Sequence, residues 1–321
     1  KLGFISLTDC ASVVMAKELG YFAERDLDVT IEKQASWPAT RDALLNGQID
    51  GAHALYTLPL AVATGVGGDG SRDLRVAMML NNNGQAITLA KEFAAAGYAD
   101  LDAAKKILDA KPRTLAMPYP GGTHDLWLRY WLRATGANEA ATKIIPIPPP
   151  QMVANMKVGN MDAFCVGEPW GDQLVHQDIG YTACMTGEIW KDHPEKSLGM
   201  RADWVDKNPK AAMAVLMAVM EAQQWCDKME NKDELATIIG KRQWFNVPPS
   251  DINARIKGDI DYGDGRKVKG SDQLMTFWAR GASYPFQSHE LWFLTENQRW
   301  GKLPMDLDTK AIIGKVNRED L

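Results

Sequence analysis

Arg113 to Pro148 reads RTLAMPYPGGTHDLWLRYWLRATGANEAATKIIPIP, and this segment sets the expected architecture. An apolar strand pattern, RTLAMPYP, leads into a polar turn with two glycines and then a tryptophan- and leucine-rich helix pattern, HDLWLRYWLRATG. The strand pattern TKIIPIP follows. A strand, a helix and a strand in this order predict α/β architecture with mostly parallel sheets.

The same alternation runs along the first two thirds of the chain. Further strand patterns cover residues 3–7, 28–36, 51–55, 73–80 and 162–167, and helix patterns cover residues 10–22, 39–47 and 151–159. Thr8 and Asp9 are residue types that cap a helix N-terminus, so they predict the start of the first helix. The last third differs, with long helix patterns over residues 208–229 and 233–245. The aromatic-rich residues 283–304 are predicted to form loops around one lobe, without a third sheet.

Two segments in corresponding places, residues 43–55 and 155–167, share one plan. Each has a helix end, a glycine, an aspartate three residues later and a strand. Gly47 and Gly159 suit the left-handed conformation that ends a helix. Many helix-to-strand turns look alike, but the repeat in each half favours two similar lobes over a single sheet.

Composition excludes several classes of protein. The chain has 321 residues, of which 45% are hydrophobic and 24% are charged, and this length favours two domains or one large bilobed unit. A net charge of -5 and a pI near 5.6 argue against a nucleic-acid binder. No apolar run approaches the length of a membrane span. Because no leader pattern is visible, we expect either a cytoplasmic protein or one whose leader is missing from this sequence.

Several short motifs do not support catalysis or cofactor binding. GVGGDG, Gly65 to Gly70, matches a dinucleotide fingerprint, but a helix pattern precedes it and a strand pattern follows, so we interpret it as a surface loop. His124 beside Asp125 resembles part of a catalytic pair, yet an acid in the first turn of a helix is the simpler interpretation. The five histidines are scattered, so no metal site and no cofactor are predicted. The four cysteines are predicted to be buried free thiols, with one disulfide as the alternative.

The turn before the helix at residue 123 has the composition of an anion site. Gly121, Gly122, Thr123 and His124 lie between a strand and a helix N-terminus. Free backbone N–H groups and the helix dipole favour negative charge there, and the two side chains add donors. The alternative is a capped turn with a satisfied histidine.

Six longer blocks together resemble the nitrate-binding proteins of ABC importers and their bicarbonate-binding relatives. They are KQASWPATRD (33–42), NGQIDGAHAL (46–55), NNNGQAIT (81–88), PGGTHDLWLRYWL (120–132), PPPQMVANMKVGNMDAFCVGEPW (148–170) and HPEKSLGMRADWV (193–205). The resemblance implies a two-lobed periplasmic-binding-protein-like fold of type II, with the ligand in the interlobe cleft. Lobe I is expected to comprise residues 1–88 and 196–321, and lobe II residues 89–195.

The resemblance also implies that Trp37, Gln85, His124 and Lys196 bind the anion, and the composition of the glycine turn adds Gly122 and Thr123 to the predicted site. Indole, amide and imidazole N–H groups donate to an oxyanion, and Lys196 supplies a positive charge. The bicarbonate binders carry a carboxylate at the place of Lys196 and use calcium. A lysine needs no metal and indicates nitrate, with nitrite second. As a cleft-lining residue, Lys196 is expected to contribute little to the core.

The function implied is capture of nitrate by a solute-binding protein that delivers it to the permease of an ABC importer. Such a protein is not an enzyme, does not itself span a membrane, and is periplasmic or anchored to the outer face of the inner membrane. One alternative is a cytoplasmic nitrate/nitrite sensor of the same fold that regulates a partner protein. Another is an enzyme acting on a small sulfonate or a pyrimidine precursor, which the lack of a recognisable nucleophile disfavours.

Overall fold

The computed structural model describes residues 1–66, 73–96 and 101–321. The strands in these ranges are β1 (Leu2–Phe4), β2 (Ile31–Lys33), β3 (Gly51–Leu55), β4 (Leu74–Asn82), β5 (Gln85–Ala90), β6 (Arg113–Met117), β7 (Thr142–Pro146), β8 (Ala163–Gly167), β9 (Gly180–Met185), β10 (Pro194–Arg201), β11 (Ile260–Asp261) and β12 (Lys267–Val268). The α-helices are α1 (Ala11–Glu18), α2 (Trp37–Leu45), α3 (Thr57–Thr64), α4 (Leu101–Asp109), α5 (Thr123–Thr135), α6 (Met152–Lys157), α7 (Trp170–His176), α8 (Ala202–Lys207), α9 (Pro209–Asp227), α10 (Lys232–Ile239), α11 (Ser250–Ile256), α12 (Gln287–Arg299) and α13 (Thr309–Val316).

Two five-stranded sheets share one topology. The first has the order β2-β1-β3-β10-β4 and the second the order β7-β6-β8-β5-β9. In each sheet four strands run in the same direction, while β10 or β5 runs antiparallel to both of its neighbours. The α/β class is confirmed, and four of the five strands in each sheet run parallel as expected, but one antiparallel strand makes each sheet mixed. The sheets are mixed because each receives one strand, β5 or β10, directly from the other sheet and in the opposite direction.

The matching topologies confirm the prediction of two similar units from the sequence repeat. Gly47 follows α2 with φ +71° and Gly159 follows α6 with φ +76°, so both helices end in the left-handed residue that was predicted. The strands that follow, β3 and β8, each occupy the middle position of their sheet.

The chain changes sheets twice, between β4 and β5 and between β9 and β10. The first crossing lies between Asn82 and Gln85, and the second between Met185 and Pro194. Both lie before the expected lobe boundaries at 88/89 and 195/196, because β5 belongs wholly to the second sheet and β10 wholly to the first. The lobe boundaries themselves stay a prediction.

The last third departs from expectation in two places. The residues predicted to form aromatic-rich loops contain the helix α12, whose buried Phe293 packs edge-on against Tyr56 at 5.4 Å. A small third sheet, β11 with β12, also forms. The residue after β11, Tyr262, accepts a hydrogen bond of 2.7 Å from the Thr182 backbone N–H of β9. β9 is an edge strand, and this contact covers part of that edge.

Smaller sequence predictions have clear outcomes. All four cysteines are free thiols, as predicted; Cys184 is half-buried and the other three are buried. Of the GVGGDG motif, Gly65 ends α3 with φ +75° and residues 67–70 lie outside the described part of the chain. In the described ranges, every helix is too short or too polar to cross a membrane.

Candidate functional site

Five of the six predicted binding residues form one line of contacts between the two sheets. Lys196 Nζ lies 5.6 Å from the centroid of the Trp37 ring. His124 Nε2 lies 3.2 Å from Oε1 of Glu195, the residue before Lys196 in β10. Gln85 Nε2 donates to Thr123 Oγ1 at 3.1 Å. All these residues are buried.

Trp37 enters this cluster from the start of α2. The Ser36 hydroxyl caps the helix by accepting from the Ala39 N–H at 3.2 Å, and Pro38 is tolerated in the first turn because its missing N–H has no helical partner there. The helix therefore begins two residues earlier than the predicted Ala39. The Trp37 ring lies 5.5 Å from the ring of His53.

In the glycine turn before α5, the backbone N–H groups of both glycines already have hydrogen-bond partners. The Gly121 N–H donates to Asp125 Oδ2 at 2.7 Å, and the Gly122 N–H donates to the Tyr119 carbonyl at 3.1 Å. The expectation of free backbone donors at these glycines is wrong, because the first-turn acid and the preceding carbonyl satisfy them. Gly122 provides space instead, since a Cβ there would lie 3.0 Å from the Tyr119 oxygen and 3.2 Å from Leu55 Cδ1.

His124, in the first turn of α5, is a neutral donor. Burial lowers the pKa of its imidazole well below the ordinary value, and the charges of Lys196 and His193 lower it further. Its Nδ1 lies 3.4 Å from the Thr123 hydroxyl, which accepts from Gln85 and so has its own proton free to donate. This arrangement fits the tautomer with the proton on Nε2, the atom that faces Glu195.

Lys196 is fully buried, so the expectation of a lysine that adds little to the core is wrong. Its Nζ lies 2.8 Å from Asp9 Oδ2 and also forms an ion pair with the Glu195 carboxylate. Burial lowers the pKa of Lys196, and the Asp9 carboxylate opposes that change. Burial alone would raise the pKa of Asp9, but the charge of Lys196 and the contact with His53 outweigh it and lower that pKa.

Sequence reasoning missed three members of the cluster: Asp9, His53 and Glu195. Asp9 was interpreted as a helix cap, but it lies in a 3-10 turn, Thr8–Cys10, and makes no capping hydrogen bond. Its Oδ1 lies 2.6 Å from His53 Nε2 instead. The available signal was its position in the segment that follows a strand, because the carboxyl ends of neighbouring parallel strands meet at one edge of a sheet.

Glu195 was missed for a geometric reason. Consecutive residues in a regular strand point to opposite faces, so Glu195 and Lys196 are not expected to share a site. Here Pro194 pairs with Asn82 and Lys196 pairs with Asn81, which leaves Glu195 as an extra residue in β10. This β-bulge places the side chains of Glu195 and Lys196 in the same cluster. The Asn81 side-chain oxygen holds it by accepting from the Lys196 N–H at 3.2 Å.

Several buried polar atoms of the cluster have no hydrogen-bond partner among the described residues: Trp37 Nε1, His53 Nδ1, His124 Nε2 and Glu195 Oε2. Buried polar groups in folded proteins are almost always paired. Two of these atoms, the indole and imidazole Nε groups, are donors close to a buried ammonium. The cluster therefore has the chemistry to bind a small polar ligand that accepts hydrogen bonds and carries negative charge.

Comparisons with known proteins agree with this chemistry. A model of the NMT1-like family matches residues 1–240. The nitrate/nitrite binding protein NrtA of Nostoc sp. strain PCC 7120 is 51% identical over 333 residues, covering 100% of this chain and 75% of that protein. The bicarbonate-binding protein CmpA of Synechococcus elongatus strain PCC 7942 is 36% identical over 342 residues, covering 100% and 76%.

The crystal structure of the periplasmic nitrate-binding protein NrtA from Synechocystis PCC 6803 superposes with a TM-score of 0.94 at 50% identity, covering 99% of this chain and 86% of that one. This match confirms the predicted periplasmic-binding-protein fold. The chain belongs to the NMT1-like family, in the group that includes nitrate/nitrite-binding and bicarbonate-binding proteins.

Proposed function

We propose that this chain is a solute-binding protein that captures nitrate, and nitrite less strongly, at the cluster around Lys196. The observation that carries the proposal is the pair of unpartnered buried donors, Trp37 Nε1 and His124 Nε2, beside the Lys196 ammonium. Gln85 and Thr123 set the tautomer of His124. Gly122 is proposed to give the ligand room rather than a hydrogen bond.

The hydrogen-bond donors of the cluster favour nitrate over bicarbonate. Nitrate accepts hydrogen bonds but cannot donate one, so a site that offers indole, imidazole and ammonium donors matches it. Holding a weakly basic anion out of water requires a nearby cation, and Lys196 supplies it without a metal. The higher identity to the nitrate/nitrite-binding relative, 51% against 36% for the bicarbonate-binding one, supports the same choice.

We further propose that the protein works in the periplasm and delivers its ligand to the permease of an ABC importer. The likeness to a periplasmic nitrate-binding protein supports the location, and the motif blocks shared with importer binding proteins support the partner. Anchoring to the outer face of the inner membrane stays a prediction. The relatives are named as binding proteins, which supports capture without turnover and gives no support to the sensor alternative.

Calorimetric titration with nitrate, nitrite, bicarbonate and cyanate tests the proposal. Nitrate and nitrite should bind with calcium absent, because the ammonium already provides the positive charge. Bicarbonate and cyanate should give no saturable heat. Calcium-dependent bicarbonate binding without nitrate binding would contradict the proposal and assign the chain to the other anion.

The His124→Ala variant should bind nitrate more weakly, by about 1–3 kcal/mol, the range for a lost hydrogen bond to a charged group. The variant removes the Nε2 donor but leaves Lys196 and Trp37 in place. His176→Ala is the matched control, because His176 is partly exposed at the end of α7 and pairs with Asp251 outside the cluster. Equal nitrate affinity for both variants, measured by calorimetry, would show that α5 merely begins with a capped turn.

A further inference from the structure

Among the residues that the structure describes, the cluster contains two carboxylates but only one ammonium. Asp9 and Glu195 both pair with Lys196, and all three are fully buried. Burial lowers the pKa values of His53 and His124, so both are neutral near pH 7. Two negative charges and one positive charge leave a formal charge of minus one. A site with this negative charge repels an anion unless the charge of one of its groups changes.

Glu195 lies beside two of the donors proposed for nitrate, although its contact with His124 Nε2 is not a hydrogen bond. One of its oxygens, Oε1, lies 3.2 Å from His124 Nε2 and contacts Lys196 Nζ. A carboxylate and a nitrate are both planar monoanions that accept hydrogen bonds through their oxygens. They therefore compete for the same two donors, and holding both would place like charges side by side in a buried site, where screening by water is weak.

We propose that Glu195 takes up a proton when nitrate binds, so that each captured anion brings one proton into the cluster. This inference rests on the proposed function. The proton comes from a buffer acid in solution, which is left as its conjugate base, and it forms an O–H bond on the Glu195 carboxylate. Neutral Glu195 then releases Lys196 and His124 to the anion and gains a donor of its own. The total charge of the cluster with nitrate stays at minus one.

Several titratable groups lie around the pair of Glu195 and Lys196, contributed by the 3-10 turn, β3, α5, β8 and the residue before β10: Asp9, His53, His124, Cys165 and His193. Asp9 is held as a carboxylate by two partners, His53 at 2.6 Å and Lys196 at 2.8 Å. His193 contacts the Thr186 hydroxyl at 2.7 Å, and burial lowers its pKa to about 4. The Oε2 atom of Glu195 has no hydrogen-bond partner among the described residues, so this oxygen can accept the proton. A buried acid that cannot keep its charge becomes neutral instead.

The test measures the heat of nitrate binding in buffers with different ionisation enthalpies, such as phosphate and Tris, at one pH. The unchanged protein should take up about one proton per nitrate, and its affinity should fall about tenfold per pH unit between about pH 6 and pH 8. Glu195→Gln supplies a neutral side chain of the same shape. It should bind nitrate with no proton uptake and no fall in affinity over that range. Glu290→Gln, which changes a buried glutamate of α12 outside the cluster, should behave as the unchanged protein does.

Each outcome separates this inference from the proposed function. Nitrate binding by the unchanged protein without a buffer-dependent heat would overturn the proton uptake and leave nitrate capture intact, and this result needs no variant to fold. Proton uptake that persists in Glu195→Gln would place the proton on another group and overturn the role of Glu195. No nitrate binding by any of the three proteins in any buffer would overturn the proposed function, and the inference with it.

Discussion

The Lys196→Met variant should show no measurable nitrate binding, whereas Lys232→Met should bind nitrate as the unchanged protein does. Lys196 supplies the only full positive charge in the described part of the cluster, between Trp37 and Glu195. Without it, two buried carboxylates face the anion with no cation to offset them. Neutral donors compensate poorly for the desolvation of a weakly basic anion, so the loss should exceed that of His124→Ala.

Lys232 is a close match as a control. It is also a buried lysine whose Nζ lies near an aromatic ring, 5.3 Å from the centroid of Phe277. It begins α10, outside the cluster. Titration calorimetry of both variants gives the comparison. Nitrate affinity near that of the unchanged protein in Lys196→Met would remove the main support for an anion site at this position.

Folding must be checked because Lys196 is more than a binding residue. Removing one partner from a buried ion pair costs about 3–5 kcal/mol, since the other charge is left uncompensated. Combining Lys196→Met with Glu195→Gln removes one of the two carboxylates and relieves that penalty, so the double variant should fold and still bind no nitrate. Lys196→Glu is a poor choice by the same reasoning, because it buries a third carboxylate beside Asp9 and Glu195.

The Arg255→Met variant should lose about 3–5 kcal/mol of stability, the cost of leaving buried carboxylates without their cation. Arg255, in α11, pairs with Glu168 and lies 3.1 Å from Asp172. It also donates to the Thr182 hydroxyl at 2.7 Å. The three charged groups are buried, and the contacts join the C-terminal third of the chain to the second sheet.

The loss of stability in Arg255→Met should depend on pH. Burial raises the pKa of Asp172 to about 6, and Arg255 opposes that rise, so removing Arg255 raises the pKa further. When the pKa of a carboxyl group is higher in the folded than in the unfolded state, the free energy of unfolding of the protein falls as pH rises between the two pKa values. The variant should therefore be more strongly destabilised at about pH 8 than at about pH 5.

Urea unfolding followed by circular dichroism measures this effect. Arg133→Met is the control, because Arg133 forms an exposed ion pair with Glu139, and exposed pairs contribute little. Its unfolding midpoint should stay close to that of the unchanged protein at both pH values. Equal midpoints for the two variants would show that the contacts of Arg255 do not join the parts of the chain as described.

Local pattern was enough to predict much of this fold. The alternation of strands and helices gave the α/β class, and the matching glycines, Gly47 and Gly159, gave two similar units, because both features depend on neighbouring residues. Pattern did not predict the one antiparallel strand of each sheet, nor α12. The direction of β5 and β10 depends on where the chain crosses between sheets, and the aromatic residues of α12 pack against distant partners such as Tyr56.

The sequence also predicted part of the candidate site. Residue types and block resemblance singled out Trp37, Gln85, His124 and Lys196, and the structure brings them into one line of contacts. Their role in binding stays a prediction until it is measured.

The charge balance around those residues could not be obtained from the sequence. The bulge in β10 turns Glu195 toward Lys196, and the turn after β1 carries Asp9 to the same ammonium from 187 positions earlier in the chain. A bulge depends on the register between strands, and an ion pair of this kind depends on the distance between segments far apart in sequence. Neither the bulge nor the ion pair can be recognised from neighbouring residues alone. The sequence therefore indicated Lys196 as a cation for the anion, and only the packed sheets showed that two carboxylates already pair with it.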